Sequence, residues 1–182
     1  VGNKADLLTK GRGLPDAAQA IRDSGFPLED AQHHAIVSAT KGWGLTELLA
    51  KVLVHLGTHH CYVAHGMDGL DEITLTDRTR ISEGKAGVVS SYFLDPGDFG
   101  IERVRPRDLA GGSPEENART TREILRGWKG AKRDVVCLNA APALVAGGKA
   151  KTLQEGFALA GKIIDSGAAM EKLERLIEFT KR

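Results

Sequence analysis

Aromatic side chains are scarce, at 5% of the 182 residues. Neither Trp43 nor Trp128 belongs to a run that could make a stacking platform for single-stranded nucleic acid, and both are expected to pack locally. No sign of charge dominates either. Lys and Arg number 25 against 24 Asp and Glu, a net charge of +1, so no basic or acidic field points to nucleic acid or an anionic membrane. There are two cysteines, Cys61 and Cys137, far apart and each in an apolar string. They read as buried free thiols of a cytoplasmic protein rather than a disulfide framework. No apolar run approaches a membrane span, no signal peptide is recognisable, and there is no internal repeat or low-complexity tract. The first residue is Val1, which reads as the start of a fragment or an assembled sequence. The length suits one domain or two small ones.

Residues 1–56 read as strand, helix, strand, helix. Leu14 to Ser24 has near-helical apolar spacing, with Pro15 in a first turn and Gly25 at the stop. "HAIVSA" is a short apolar run suited to a buried strand. "GLTELLAKVLVHLG" predicts a helix ended by Gly57 in the left-handed conformation, and "HCYVAHG" a further buried strand. This alternation argues for parallel strands with helical crossovers. From Ile73 to Leu94 the β-branched content and turn-like breaks predict extended, antiparallel pieces. "SPEENARTTREILRG" has Ser113 as cap, Pro114 in the first turn, Glu116 completing a capping box and Gly127 as the stop. "TLQEGFALAGKIIDSG" repeats that grammar with Thr152, Glu155 and Gly167. "RDVVCLNAAPALVAGG" is apolar on most sides and predicts a buried helix bent at Pro142. "AAMEKLERLIEFTKR" closes as an amphipathic helix. The fold expected is α/β, a mainly parallel sheet flanked by helices, with a short antiparallel excursion and a helical C-terminal third.

Two short stretches carry recognisable chemistry at the N-terminal end. In "NKAD", Asp6 can accept two hydrogen bonds from the ring N–H and exocyclic amine of guanine, a match adenine cannot make. Asn3 would tie the strand end to its neighbouring loop, and the Lys4 stem could lie on the base. In "SATKGWG", beginning at Ser38, a backbone N–H near Ala39 would donate to the guanine carbonyl. Together the two resemble the fourth and fifth motifs of GTPases. The wording "SATKGWGLTELL" is similar to the circularly permuted GTPases of ribosome assembly, over about residues 1–50. The resemblance implies GTP or GDP as a ligand. A phosphate loop, G-x-x-x-x-G-K-[ST], is missing. "ALVAGGKA" has Ala143 where the first Gly belongs and Ala150 in place of the hydroxyl, and "DLAG" matches the metal motif by spelling only.

The larger part of the chain carries a different set of landmarks: "HGMDGLDE", "DPGDFG", "GGSPEENA", "ILRGWKGAKRD", "LNAAPAL" and "SGAAMEKLERLIEF". In this order and spacing they resemble anthranilate phosphoribosyltransferase, over about residues 47–182. The two resemblances overlap inside the "GLTELLAKVL" helix, so that the whole reads as one merged domain spliced at a shared element. The second resemblance implies transfer of a phosphoribosyl group from phosphoribosyl pyrophosphate to anthranilate, in tryptophan biosynthesis. It also implies that Asp71 and Glu72 hold magnesium. Oxygen ligands suit that hard cation, which neutralises charge on the departing pyrophosphate. On spacing alone the same pair is a solvated acidic turn. The family's glycine-rich GTGGD segment, its Lys-His-Gly-Asn stretch and its anthranilate-binding arginine have no counterpart here. The resemblance therefore implies a partial enzyme, impaired or inactive alone. A non-enzymatic chimeric α/β scaffold is the third reading.

His55, His59, His60, Cys61 and His65 crowd together, but Gly57 interrupts the spacing that would converge imidazoles on zinc. His33 and His34 read as a loop beside a strand. Lys129, Lys132 and Arg133 read as a solvated basic turn.

Overall fold

The computed structural model describes residues 44–181. Their elements are α1 (Leu45–His55), β1 (His60–Gly66), β2 (Thr79–Lys85), β3 (Val88–Leu94), α2 (Pro106–Leu109), α3 (Pro114–Leu125), α4 (Ala131–Ala146), α5 (Leu153–Asp165) and α6 (Ala168–Thr180). A 3-10 turn, Pro96–Phe99, lies between β3 and α2. The helix expected at Leu14 to Ser24, the strand "HAIVSA", His33, His34 and Trp43 lie outside the described residues. The chain forms two compact units. Of the described residues the first holds 44–65 and 80–93, the second 66–79 and 94–181.

In the first unit α1 ends as its sequence predicts. Leu56 closes the last turn and Gly57 takes φ 90°, a conformation glycine adopts without the steric cost of a Cβ. The sheet order is β1-β2-β3. β2 and β3 are joined through Ala86 and Gly87, with φ 49° and 84°; positive φ at both positions is what a tight two-residue hairpin with primed geometry needs. β1 also runs antiparallel to β2, and Ala86 N–H donates to the His59 carbonyl at 3.2 Å. The mainly parallel sheet expected from the sequence is therefore not what the described residues form. The physical reason is the connection: a parallel return needs a long crossover, usually a helix, and no helix lies between β1 and β2. The antiparallel stretch expected over 73–94 is present in shorter form, its first strand starting only at Thr79.

α1 lies close against one face of this sheet at Gly84. A Cβ built there would stand 2.6 Å from Val54 Cγ2 and 2.8 Å from Cys61 Sγ, so any larger residue would force one of those side chains to shift. Beside this contact Ser82 Oγ donates to Thr46 Oγ1 at 2.9 Å and meets Ser91 Oγ at 2.8 Å, which satisfies hydroxyls that burial would otherwise penalise. Glu83, next in β2, gathers His60 Nε2 at 2.7 Å, the Tyr62 hydroxyl at 3.0 Å and the Tyr92 hydroxyl at 3.2 Å. Burial first, and then the Glu83 carboxylate, push both tyrosine hydroxyls well above their ordinary range.

The second unit is mainly helical. α3 starts with the expected capping box: Ser113 Oγ accepts from Glu116 N, and Glu116 Oε2 accepts from Ser113 N. In α5 the box is displaced by one residue. Thr152 Oγ1 accepts from Glu155 N at 3.1 Å, but Glu155 Oε2 turns to Lys151 N at 2.9 Å. α4 runs through Pro142 and ends at Ala146. Ile124, Cys137, Ala160 and Ile164 form a buried cluster, with Leu144 and Phe157 packed on it. Both cysteines are buried and free. The basic turn is not simply solvated, as the sequence suggested. Lys129 and Arg133 both bind Asp165, at 3.0 and 2.8 Å, and Lys132 Nζ donates to the Ala110 carbonyl at 2.7 Å. Trp128, in contrast, does not pack locally; it is 65% exposed.

α4 and α5 approach closely at Gly156, where a Cβ would stand 2.7 Å from the Ala141 carbonyl oxygen. Backbone cannot yield as a side-chain tip can. Gly156→Ala is expected to lower stability by about 1–3 kcal/mol through overpacking. Gly161→Ala, in the same helix but with only Arg133 Nη2 at 3.5 Å, is expected to raise it by roughly 0.5–1 kcal/mol through reduced chain entropy. Urea unfolding midpoints of the two variants check both signs.

Candidate functional site

The segment from Gly66 to Arg78 leaves β1, folds back on itself and delivers the chain to β2. Gly66 N–H donates to the Leu70 carbonyl at 2.8 Å and Gly69 N–H to the Gly66 carbonyl at 2.9 Å. Gly69 has φ 99°, so the turn needs glycine there. Gly66 is needed for space: its Cβ would collide with Asp68 Oδ1 and stand 3.2 Å from Thr74 Cγ2.

Asp68 organises the remainder of the segment. Its Oδ1 accepts from Leu70 N–H at 3.1 Å, and its Oδ2 accepts from the Thr74 hydroxyl at 2.6 Å and from the Thr76 hydroxyl. Thr74 N–H is bound in turn by Thr79 Oγ1, and Thr76 N–H by Thr74 Oγ1. Burial works to raise the Asp68 carboxyl, but the hydrogen bonds from Thr74, Thr76 and Leu70 outweigh it and hold the group below the usual carboxylate range. Ile73, Thr74 and Leu75 are buried, at 1% exposure or less. At the other end, Met67 N–H donates to the Arg78 carbonyl at 3.0 Å.

Between the turn and the buried stretch stand Asp71 and Glu72, both exposed. Neither carboxylate makes a hydrogen bond or ion pair with another described residue. A cleft of about 400 Å³ opens beside them, lined by Asp68, Leu70, Glu72 and Thr76 and, from the helical side, by Leu109 and Val135. Glu72 lines this cleft; Asp71 is adjacent in sequence but not among its lining residues. The donor set fits a hard divalent cation: two unengaged carboxylates offer oxygen only. Among the described residues no group of three or more His, Cys, Asp or Glu side chains could hold a metal. The pair would thus be a partial set, completed by water and ligand phosphate, as is usual for magnesium.

His60 of the histidine-rich stretch pairs with Glu83. Asn3, Lys4, Asp6, Ser38 and Ala39, read as guanine contacts, lie outside the described residues. Asp68, Thr74 and Thr76 are not among the site residues that the sequence suggests. Asp two residues ahead of a turn amide is a recognisable Asx pattern, but no local signal links it to hydroxyls six and eight positions later.

Comparison with known proteins places the chain in a family. The sequence model of the glycosyl transferase family, a/b domain, matches residues 21–170; the chain belongs to that family. The match spans Asp71 and Glu72, and reaches back across Ser38 and Ala39. More particularly, the chain is 56% identical over 138 residues to the anthranilate phosphoribosyltransferase of Desulfosudis oleivorans, covering 75% of this chain and 41% of that protein. It is 49% identical over 136 residues to the enzyme of that name from Acetivibrio thermocellus, covering 75% and 39%. In structure it is similar to anthranilate phosphoribosyltransferase from Thermus thermophilus, with TM-score 0.69 and 31% identity over 93% of this chain and 53% of that one. The Saccharomyces cerevisiae enzyme in complex with PRPP and Mg shares the fold, with TM-score 0.64, 23% identity, and coverage of 91% and 50%. The chain spans about two fifths of the length of the curated relatives it matches. Among the described residues no helix is long and apolar enough to cross a membrane.

A carboxyl held below its ordinary pKa contributes order that is complete above its unfolded value, about 3.9 for Asp, and is lost as pH falls through the lower folded value. Protection of the Leu70 and Thr76 amides from hydrogen exchange is therefore expected to hold at pH 6 and to be lost only as the pH falls below the ordinary carboxylate range. Asp68→Asn, which keeps the shape and loses the charge, is expected to remove most of that protection already at pH 6.

Proposed function

We infer that this chain is part of an anthranilate phosphoribosyltransferase and contributes the magnesium-holding edge of its donor site. The observation that carries the reading is the exposed, unpartnered Asp71–Glu72 pair on a braced loop, inside a segment 56% identical to an enzyme of that name. The substrates are taken to be those of the relatives, phosphoribosyl pyrophosphate and anthranilate. In the transfer the anthranilate nitrogen bonds to the ribose C1, pyrophosphate leaves with the electron pair of the broken C–O bond, and the nitrogen gives up a proton. Magnesium, when bound, neutralises charge gathering on the pyrophosphate. Asp71 and Glu72 would supply its protein oxygens, and Asp68 with its two threonines would keep the loop from folding inward over the cleft.

The 182 residues contain no GTGGD segment, no Lys-His-Gly-Asn stretch and no counterpart of the acceptor-binding arginine. Groups that orient donor against acceptor account for much of the rate of a two-substrate transfer. Loss of anthranilate fluorescence in the presence of phosphoribosyl pyrophosphate and Mg²⁺ is therefore expected to run at least about a hundredfold slower with this chain alone than with a full-length relative. Turnover comparable to the relative's would contradict the partial-enzyme reading. Glu72→Gln with Asp71→Asn is expected to remove any Mg²⁺ dependence that the residual reaction shows.

A further inference from the structure

Resting on the reading of Asp71 and Glu72 as the metal-holding pair, we propose that Asn139 of α4 is a positioning residue that aims Glu72 by gripping the backbone of Ile73. Two hydrogen bonds of opposite polarity join them. Ile73 N–H donates to Asn139 Oδ1 at 2.9 Å, and Asn139 Nδ2 donates to the Ile73 carbonyl at 2.7 Å. One planar amide thus pairs with one backbone residue much as a neighbouring strand would. The Ile73 N–H belongs to the Glu72–Ile73 peptide plane. Holding it fixes the orientation of that plane and, because Glu72 Cα lies in it, the point from which the Glu72 side chain leaves the chain.

The amide has one workable orientation. Asn139 Nδ2 also donates to the Val135 carbonyl at 3.0 Å, one turn earlier in α4. Flipping the amide would set its oxygen against two carbonyl oxygens and its NH₂ against an N–H, losing all three bonds. The α4 backbone therefore dictates which end of Asn139 meets which end of Ile73. Asparagine is a weak helix former because its side chain competes for backbone partners. Here it stands inside a 16-residue helix, flanked by Leu138 and Ala140, and its competition is directed onto another segment 66 residues away. The Ile73 side chain is buried, with the residue 1% exposed, so the grip is anchored in packing. Asp68 braces the same loop at Leu70, Thr74 and Thr76. Between these fixed points stand Asp71 and Glu72, whose carboxylates have no partner among the described residues.

The test is a titration of the full chain with Mn²⁺, followed by electron paramagnetic resonance of the free ion, alongside the thermal midpoint of each variant. Loss of an outer-shell partner commonly weakens metal binding by about tenfold or more. Asn139→Ala is expected to weaken Mn²⁺ binding by about that factor, measured well below its midpoint. Asn139→Asp keeps the acceptor but replaces the donor facing two carbonyls, and the same weakening is expected. Ile164→Ala alters the buried helical cluster, which includes no residue of the loop; it is expected to lower the midpoint and leave Mn²⁺ affinity unchanged. Should Asn139→Ala not fold, Asn139→Gln keeps both hydrogen-bonding groups, displaces them by a methylene, and carries the same expectation. Binding within twofold of the unsubstituted chain in the Asn139 variants overturns the positioning role. If the unsubstituted chain binds no Mn²⁺, or binds it equally well after Asp71→Asn with Glu72→Gln, the metal-holding reading itself fails, and the role of Asn139 falls with it.

Discussion

A chain that leaves one strand and returns to the next without helix or sheet must still find partners for its buried backbone groups. The segment between β1 and β2 meets that demand with side chains. Asp68 takes an amide and two hydroxyls, Thr74 and Thr79 take the amides of Thr76 and Thr74, and Asn139 takes both polar groups of Ile73. Each buried group left unmatched would cost about 1–3 kcal/mol, so the loop has little freedom to rearrange. Among the described residues Asp71 and Glu72 alone of this segment's carboxylates make no hydrogen bond or ion pair, and on the proposed reading they are the pair that would hold the metal.

The two units solve their packing problems by the same means, close approach at a glycine. Gly84 admits α1 onto the sheet, and Gly156 admits α5 onto the Ala141 backbone. In the second unit the charges are arranged rather than scattered. Asp165, at the end of α5, draws Lys129 and Arg133 together from the start of α4. A carboxylate at that point offsets two cations that would otherwise repel one another beside the positive end of a helix. Burial works against this carboxyl, but the Lys129 hydrogen bond leads the interactions that hold it below its ordinary range.

What could be read in the sequence was local. The start of α3 is spelled out by Ser113, Pro114 and Glu116, and the stop of α1 by Gly57, because each involves residues within one helical turn. The antiparallel pieces before Leu94 and the buried thiols followed from composition and pattern. The displaced cap of α5 shows the limit of such spelling: Glu155 can reach either Lys151 or Thr152, and the choice is geometric. The parallel sheet was inferred from alternation alone, and the absence of a crossover helix before β2 decides otherwise for the described strands. Asp71 and Glu72 were singled out through a resemblance alone; on spacing the pair reads as a solvated acidic turn. Asp68 and Asn139 were not legible at all as partners of the loop. Their bonds join positions 6, 8 and 66 apart, with no period to mark them. Lys129, Lys132 and Arg133 looked like a solvated run because their acceptors, Asp165 and the Ala110 carbonyl, come from distant parts of the chain.

The two free thiols fall one in each unit, Cys61 in the first and Cys137 in the second. Burial pushes the Cys137 thiol upward, more than the Arg133 charge draws it down, so its reactive thiolate is scarce while the helices stay packed. A maleimide or iodoacetamide would reach either sulfur chiefly during local opening. The molecule consequently carries its own pair of clocks: the alkylation half-time at each cysteine, resolved by peptide mass, would time the breathing of sheet and helical units separately.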